Sequence, residues 1–146
     1  MNIRVQKYSI IIFVGFFIRF LVAVWNGFFG PSPGAGLDAQ GLHNFALKVS
    51  ESLEYDTFFI GFWPYTNLLG TVYHFITPSL FLGSLISCMA WLFSGNILLK
   101  TMSLIGSSAK QKCKAALFFS IYPSSIFFTS VTLREPFQLL FLSLTV

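Results

Sequence analysis

Arg19, Asp38, Arg134 and Glu135 are the residues best placed, by type and surroundings, to do chemistry. Arg19 is the one charge between Tyr8 and Phe29. A cation in such a run is costly in hydrocarbon and must face protein or a wet cavity. Its partner is either an anionic substrate group, or an internal ion pair or set of helix-end carbonyls. Asp38 follows a turn-rich stretch, Gly30-Pro31-Ser32-Pro33-Gly34-Ala35-Gly36. A carboxylate there can take a proton from a hydroxyl or amine nucleophile, and it is equally suited to cap a helix. Arg134 and Glu135 stand just before Pro136. A guanidinium fork suits phosphate; the pair also suits a simple boundary between an apolar run and water.

Other candidates are weaker. Glu54 and Asp56 form an E-x-D pair that could hold Mg²⁺ or Mn²⁺ through oxygen, but the same residues read as a solvated helix end. His43 and His74 lack a Cys or acidic companion at metal-ligand spacing. His43 reads as a capping or packing residue, and His74 as one at headgroup level. Cys88 in an apolar run and Cys113 among lysines make no disulfide framework. Phosphate-loop, nucleophile-elbow and zinc-protease motifs are missing. No cofactor is expected, and a divalent metal only through the weak acidic pair.

The solvent around these residues follows from composition. The 146 residues are 55% hydrophobic, 18% aromatic and 10% charged, against about 25% charged in an average globular chain. A soluble domain of this size cannot hide so much apolar surface. A soluble enzyme, a disordered chain and a disulfide scaffold are excluded. A net charge of +4, scattered along the chain, is too small for a nucleic-acid footprint. An all-α, multi-pass membrane protein remains, with the lipid bilayer as its first partner.

Three spans and part of a fourth position the charges. Residues 8–29 are long enough, at about 1.5 Å per residue, to cross a core of about 30 Å. They outrun a signal-peptide core. Residues 79–99 and 115–131 are uncharged, with Pro123 set to kink the third span. Residues 136–146 are apolar but too short to cross as a helix. The expectation is that the chain is the front part of a longer protein forming one membrane region. Arg4 and Lys7 precede the first span, and Lys100, Lys110, Lys112 and Lys114 separate the second from the third. Basic loops stay cytoplasmic, so the amino terminus is inside. Residues 30–78 carry Lys48 against Asp38, Glu51, Glu54 and Asp56 and belong outside. Arg134 and Glu135 then fall on the same outer face as Asp38.

The outer segment is too long for a plain connection. Leu42, Phe45, Ala46, Val49 and Leu53 recur at helical spacing, predicting an interfacial helix over 38–53 that begins at Asp38. In 58–76, Trp63, Tyr65 and Tyr73 suit the headgroup level, and Pro64 a first helical turn. Leu68, Leu69, Val72, Phe75 and Ile76 form the apolar stripe expected of a helix dipping into or lying on the outer leaflet; the alternative is a true span, since residues 57–76 are uncharged.

This layout resembles the amino-terminal part of membrane glycosyltransferases of the GT-C fold, such as protein O-mannosyltransferases and lipid A aminoarabinose transferases. The resemblance is carried by Phe17-Ile18-Arg19-Phe20 in the first span and Gly36-Leu37-Asp38-Ala39 early in the outer segment. Leu42-His43-Asn44-Phe45-Ala46, Leu68-Leu69-Gly70-Thr71-Val72-Tyr73 and Tyr122-Pro123-Ser124-Ser125 continue it, and Leu133-Arg134-Glu135 closes it. It implies a polyprenyl-phosphate-linked sugar as donor, residence in a bacterial plasma membrane, and Asp38 as catalytic base. It would set Arg134 and Arg19 near the lipid phosphate, with Glu135 orienting Arg134 or an acceptor. The acceptor is not specified. Members of that family have more spans and often a D-x-D motif, so this length alone is not expected to catalyse. The alternative is a non-enzymatic subunit or scaffold. Its contact face would be Gly83, Ser84, Ser87, Ala90, Ser94 and Gly95.

Overall fold

The computed structural model describes residues 7–30, 36–52 and 63–145. Among them the chain is all-helical, with seven helices and no strand. In order these are α1 (Lys7–Phe28), α2 (Gly36–Ser52), α3 (Trp63–Phe75), α4 (Leu80–Leu104), α5 (Ala109–Ile121), α6 (Pro123–Thr129) and α7 (Glu135–Leu144). Helix α4 is the central post: α1 and α7 pack along it, α5 lies on α1, and α2 pairs with α3.

Local chemistry sets the ends. Ser79 caps α4 by accepting from the Leu82 N–H at 3.0 Å. Gly106 turns the chain after α4 with a φ of 74°, a conformation that favours glycine. Ser108 and Gln111 then form a capping box that starts α5. Pro136 opens α7.

Two helices are long and apolar enough to cross a bilayer, Lys7–Phe28 and Leu80–Leu104. This corrects the expectation of three full spans and part of a fourth. Residues 115–131 are not one helix. Pro123 cannot donate a backbone hydrogen bond and forces Tyr122 into an extended conformation, φ −56° and ψ 113°. The run divides into α5 of 13 residues and α6 of 7.

In α1 the usual polarity is reversed. Its buried residues are Ile12, Gly15, Arg19, Ala23 and Asn26. Phe13, Phe17, Leu21, Trp25 and Phe28 face outward, all more than half exposed. In α4 the buried side is Gly83, Ser84, Ser87, Ala90, Ser94 and Gly95 with Cys88, Trp91 and Leu99. That small-residue face is therefore occupied within the chain. A Cβ at Gly83 would fall 2.7 Å from the Thr132 side chain and 2.9 Å from the Tyr73 hydroxyl. Ser84 accepts from Asn26 Nδ2 at 3.1 Å, and Ser87 donates to the Leu133 carbonyl at 3.3 Å.

Helix α2 starts at Gly36, so Asp38 sits in the first turn rather than at the cap. It still faces the favourable end of the helix dipole. The buried stripe is Ala39, Leu42, Ala46 and Val49. Phe45 lies at its edge under Lys48, whose ammonium is 5.7 Å from the ring centre. Leu53 and the Glu54–Asp56 pair lie outside the described residues.

In α3 most of the expected apolar stripe faces out of the bundle. Tyr65, Thr66, Leu69 and Tyr73 are buried, whereas Leu68, Phe75 and Ile76 are exposed. Tyr65 and Tyr73 are core residues here, not headgroup anchors.

Arg19 ties these helices together and is fully buried. Its Nε donates to Thr129 Oγ1 at 2.7 Å. Its Nη1 donates to the Gly15 and Ser120 carbonyls at 3.1 and 3.0 Å, and its Nη2 to Ser125 Oγ at 3.2 Å. The guanidinium carbon lies 3.7 Å from the centre of the Trp91 ring. A Cβ at Gly15 would come within 2.9 Å of both Ser120 and Trp91, so only glycine admits this packing.

Substituting Arg19→Leu should therefore strand the Ser120 carbonyl and remove a donor from the Ser125 and Thr129 hydroxyls. Each unsatisfied buried group costs about 1–3 kcal/mol. Arg19→Lys should recover little, because an ammonium cannot reproduce the fork. Thermal unfolding in detergent should show a large loss for Leu and most of that loss for Lys; a wild-type midpoint for Lys would refute the clamp.

Candidate functional site at one end of the bundle

The core has two parts. One contains Ile12, Trp91, Leu99 and Ala116, with Tyr8 and Phe16 packed against it. The other contains Ala39, Leu42, Ala46, Tyr65, Leu69, Tyr73, Val131 and Leu133, with Leu82, Ile86 and Phe137 packed against it. Ala39 follows Asp38 in the chain and Leu133 precedes Arg134. The second core thus draws the carboxylate and the guanidinium to the same end of the bundle. The lysines at the end of α4 and the start of α5 lie at the other end.

Arg134 reaches its place through an irregular buried segment. Val131, Thr132 and Leu133 are almost wholly inaccessible. Buried irregular backbone needs polar partners. Thr132 donates to the Leu80 carbonyl at 3.2 Å and lies 3.4 Å from Ser84 Oγ. Together with the Ser87 bond, these contacts pin the strap to α4. Arg134 and Glu135 emerge from it half-exposed, with Nε and Oε1 4.0 Å apart. Asp38 is exposed and has no hydrogen bond or ion pair with a described residue.

The same core holds a short hydrogen-bonded chain. The Tyr73 hydroxyl donates to the Ser79 carbonyl at 2.9 Å. His43 Nδ1 is 2.9 Å from the same hydroxyl. With the phenol hydrogen committed to Ser79, the His43 proton is assigned to Nδ1, which leaves Nε2 as an acceptor. The two rings meet edge-on at 5.3 Å. Burial lowers the His43 pKa from its ordinary value, favouring the neutral ring. Burial also lifts the Tyr73 hydroxyl above the ordinary phenol range. The Tyr65 hydroxyl is raised too, chiefly by burial; Ser87 opposes the shift and Glu135 adds to it. Ser87 is its polar neighbour, although no partner meets it in full hydrogen-bond geometry.

Two concave surfaces flank this end. A cleft of about 340 Å³ is lined by Asn26, Phe28, Phe29, Gln40 and Leu80, at the junction of α1, the first turn of α2 and the start of α4. A wholly apolar groove of about 290 Å³ runs between α3 and α4, past Leu68, Val72, Ile76, Leu82 and Ile86.

Of the residues marked by sequence, Asp38, Arg134 and Glu135 share this end. Arg19 stands apart, with four hydrogen bonds to the protein. His74 is exposed and bonds the Ser50 carbonyl through Nδ1 at 2.9 Å. Among the described residues no three His, Cys, Asp or Glu side chains converge. The roles of Tyr65, Tyr73 and the His43 relay were missed. The leading clue was the placing of three aromatic residues around Pro64 and Gly70, and it named no partner. Comparison of the chain with family models, curated proteins and solved structures finds no match.

The His43 shift sets a pH dependence. A depressed folded-state pKa stabilises above the unfolded value of about 6.5, and that contribution is lost as pH falls through the folded value. Stability should decline as pH falls below about 6.5. His43→Gln should flatten that decline, and unfolding midpoints across the range would check it. An unchanged slope would rule His43 out as the cause.

Proposed function

We propose that the chain is part of a multi-pass membrane glycosyltransferase that takes its sugar from a polyprenyl-phosphate at the outer face of a bacterial plasma membrane. The membrane placement is supported by the reversed polarity of α1. Large aromatic and aliphatic side chains face outward and small or polar ones inward, which is costly in water and favourable in lipid. On this reading α1 and α4 cross the bilayer. Helices α5 and α6, broken at Pro123, form no single-helix span but together carry the chain from the lysine end of α4 back to Arg134. Helices α2 and α3 lie at the outer interface, and the amino terminus is cytoplasmic.

The observation that carries the chemistry is the shared core cluster of Ala39 and Leu133, which sets Asp38 and Arg134 at one end. In the proposed reaction an acceptor hydroxyl or amine attacks the anomeric carbon. Asp38 takes the acceptor's proton. The bond from that carbon to the phosphate oxygen breaks, and the polyprenyl phosphate leaves with the electron pair. Arg134 meets its charge, with Glu135 orienting the guanidinium from 4.0 Å. The cleft beside Gln40 has room for a sugar, and the apolar groove for part of a lipid tail. Arg19 acts at a distance from the site, by fixing α1, α5 and α6 to one another. The scaffold alternative has lost its proposed contact face to the interior of the chain.

Transfer can be followed in membranes of cells expressing the full reading frame and supplied with polyprenyl-phosphate-linked radioactive mannose or aminoarabinose. Asp38→Asn should abolish transfer by removing the base, while Arg134→Lys should lower turnover by at least about tenfold, as expected for a lost electrostatic contact. Retained turnover in Asp38→Asn would end the assignment of the base.

A further inference from the structure

The end of the bundle opposite Asp38 carries its own charge pattern. Lys7 opens α1, Lys100 lies near the end of α4, and Lys110, Lys112 and Lys114 line the start of α5. Four of the five are exposed; Lys112 is half-buried, with its ammonium 5.7 Å from the Tyr8 ring centre. The described carboxylates, Asp38, Glu51 and Glu135, belong to α2 and α7. The ammonium groups at this end therefore face outward with no described carboxylate to neutralise them.

Apolar side chains project from the middle of this basic patch. Leu104 and Ile105 are 80% and 73% exposed at the turn held by Gly106. Helix α4 has 25 residues, or about 37 Å at 1.5 Å per residue. That exceeds a hydrocarbon core of about 30 Å, so the Lys100–Ile105 end reaches the headgroup layer when α4 spans.

We propose that this end docks the phosphodiester headgroups of anionic phospholipids, with Leu104 and Ile105 entering the acyl boundary beside them. The inference rests on the membrane placement proposed above and is independent of the transferase chemistry. A free phosphate would satisfy the lysines but leave Leu104 and Ile105 in water; a lipid satisfies both. Attraction to an anionic surface is on the order of fivefold per lysine near it, and salt screens it.

The test uses the chain with Ser103→Cys labelled by a fluorophore, in a Cys113→Ser background; Cys88 is fully buried and stays unlabelled. The protein is reconstituted in phosphatidylcholine vesicles containing a minority of phosphatidylglycerol, with one lipid or the other brominated. Brominated phosphatidylglycerol should quench about fivefold or more beyond its share of the bilayer. The preference should vanish in Lys100→Gln/Lys110→Gln/Lys114→Gln and at high salt, persist with arginine at the same three positions, and be absent for a label at Phe28→Cys. Soluble glycerol phosphate should leave it unchanged. Quenching in proportion to lipid share in the parent chain, an undiminished preference in the glutamine variant, or displacement by glycerol phosphate would each overturn the proposal. Failure to float with either vesicle would overturn the membrane placement itself, and this inference with it.

Discussion

A guanidinium with no carboxylate among its hydrogen-bond partners is buried where four helices meet. Arg19 extends from α1 to the Ser120 carbonyl of α5, the Ser125 and Thr129 hydroxyls of α6, and the face of Trp91 on α4. No one of these partners carries a full negative charge. Together they supply helix-end dipole, hydroxyl lone pairs and the negative face of an aromatic ring. The arrangement exists because Pro123 breaks the helix. A continuous helix would have used the Ser120 carbonyl internally. The break and the arginine are two halves of one solution, since each leaves polar groups that the other satisfies.

The far end of the chain inherits its position from that clamp. Fixing α6 fixes where the strap from Val131 to Leu133 enters the bundle. Ser84, Ser87 and Thr132 then hold the strap against α4, and Arg134 emerges from it. On the other side, Ala39, Leu42 and Ala46 fasten α2 to α3 and to the same core, and Asp38 projects from the first turn. The two charged residues belong to helices distant in the chain, yet they are anchored in one apolar cluster. The small residues of α4 are what permit this convergence, because Gly83 gives room to Thr132 and Tyr73 at once.

Much of this architecture was legible in the sequence. Residues 8–29 and 79–99 announced α1 and α4, because an apolar stretch of that length has few other fates. The stripe through Leu42, Ala46 and Val49 located α2 to within two residues at its start. Pro123 marked the weak point of 115–131, although the outcome was a break into two helices and not a kinked span. The apolar stripe of α3 was legible, but the burial of Tyr65 and Tyr73 was not. Hydrophobic periodicity reports the core only when the surroundings are water. Where one side of a helix can meet lipid, Leu68, Phe75 and Ile76 have no reason to turn inward, and Tyr65 and Tyr73 can carry hydroxyls into the core. The His43–Tyr73 contact spans 30 positions and the Arg19 contacts span more than 100. Partners that meet only after several helices have packed leave no local spacing to read.

The proposed chemistry requires Asp38 and Arg134 to meet at one surface of the membrane, on the side away from the lysines. Single cysteines at positions 38 and 134, with a third at position 110 as the reference, can be challenged in intact cells with a thiol reagent that does not cross the membrane. Positions 38 and 134 should both label from outside, while position 110 should label only after the cells are opened. Labelling of 38 and 134 from opposite sides, or of 110 from outside along with them, would contradict it.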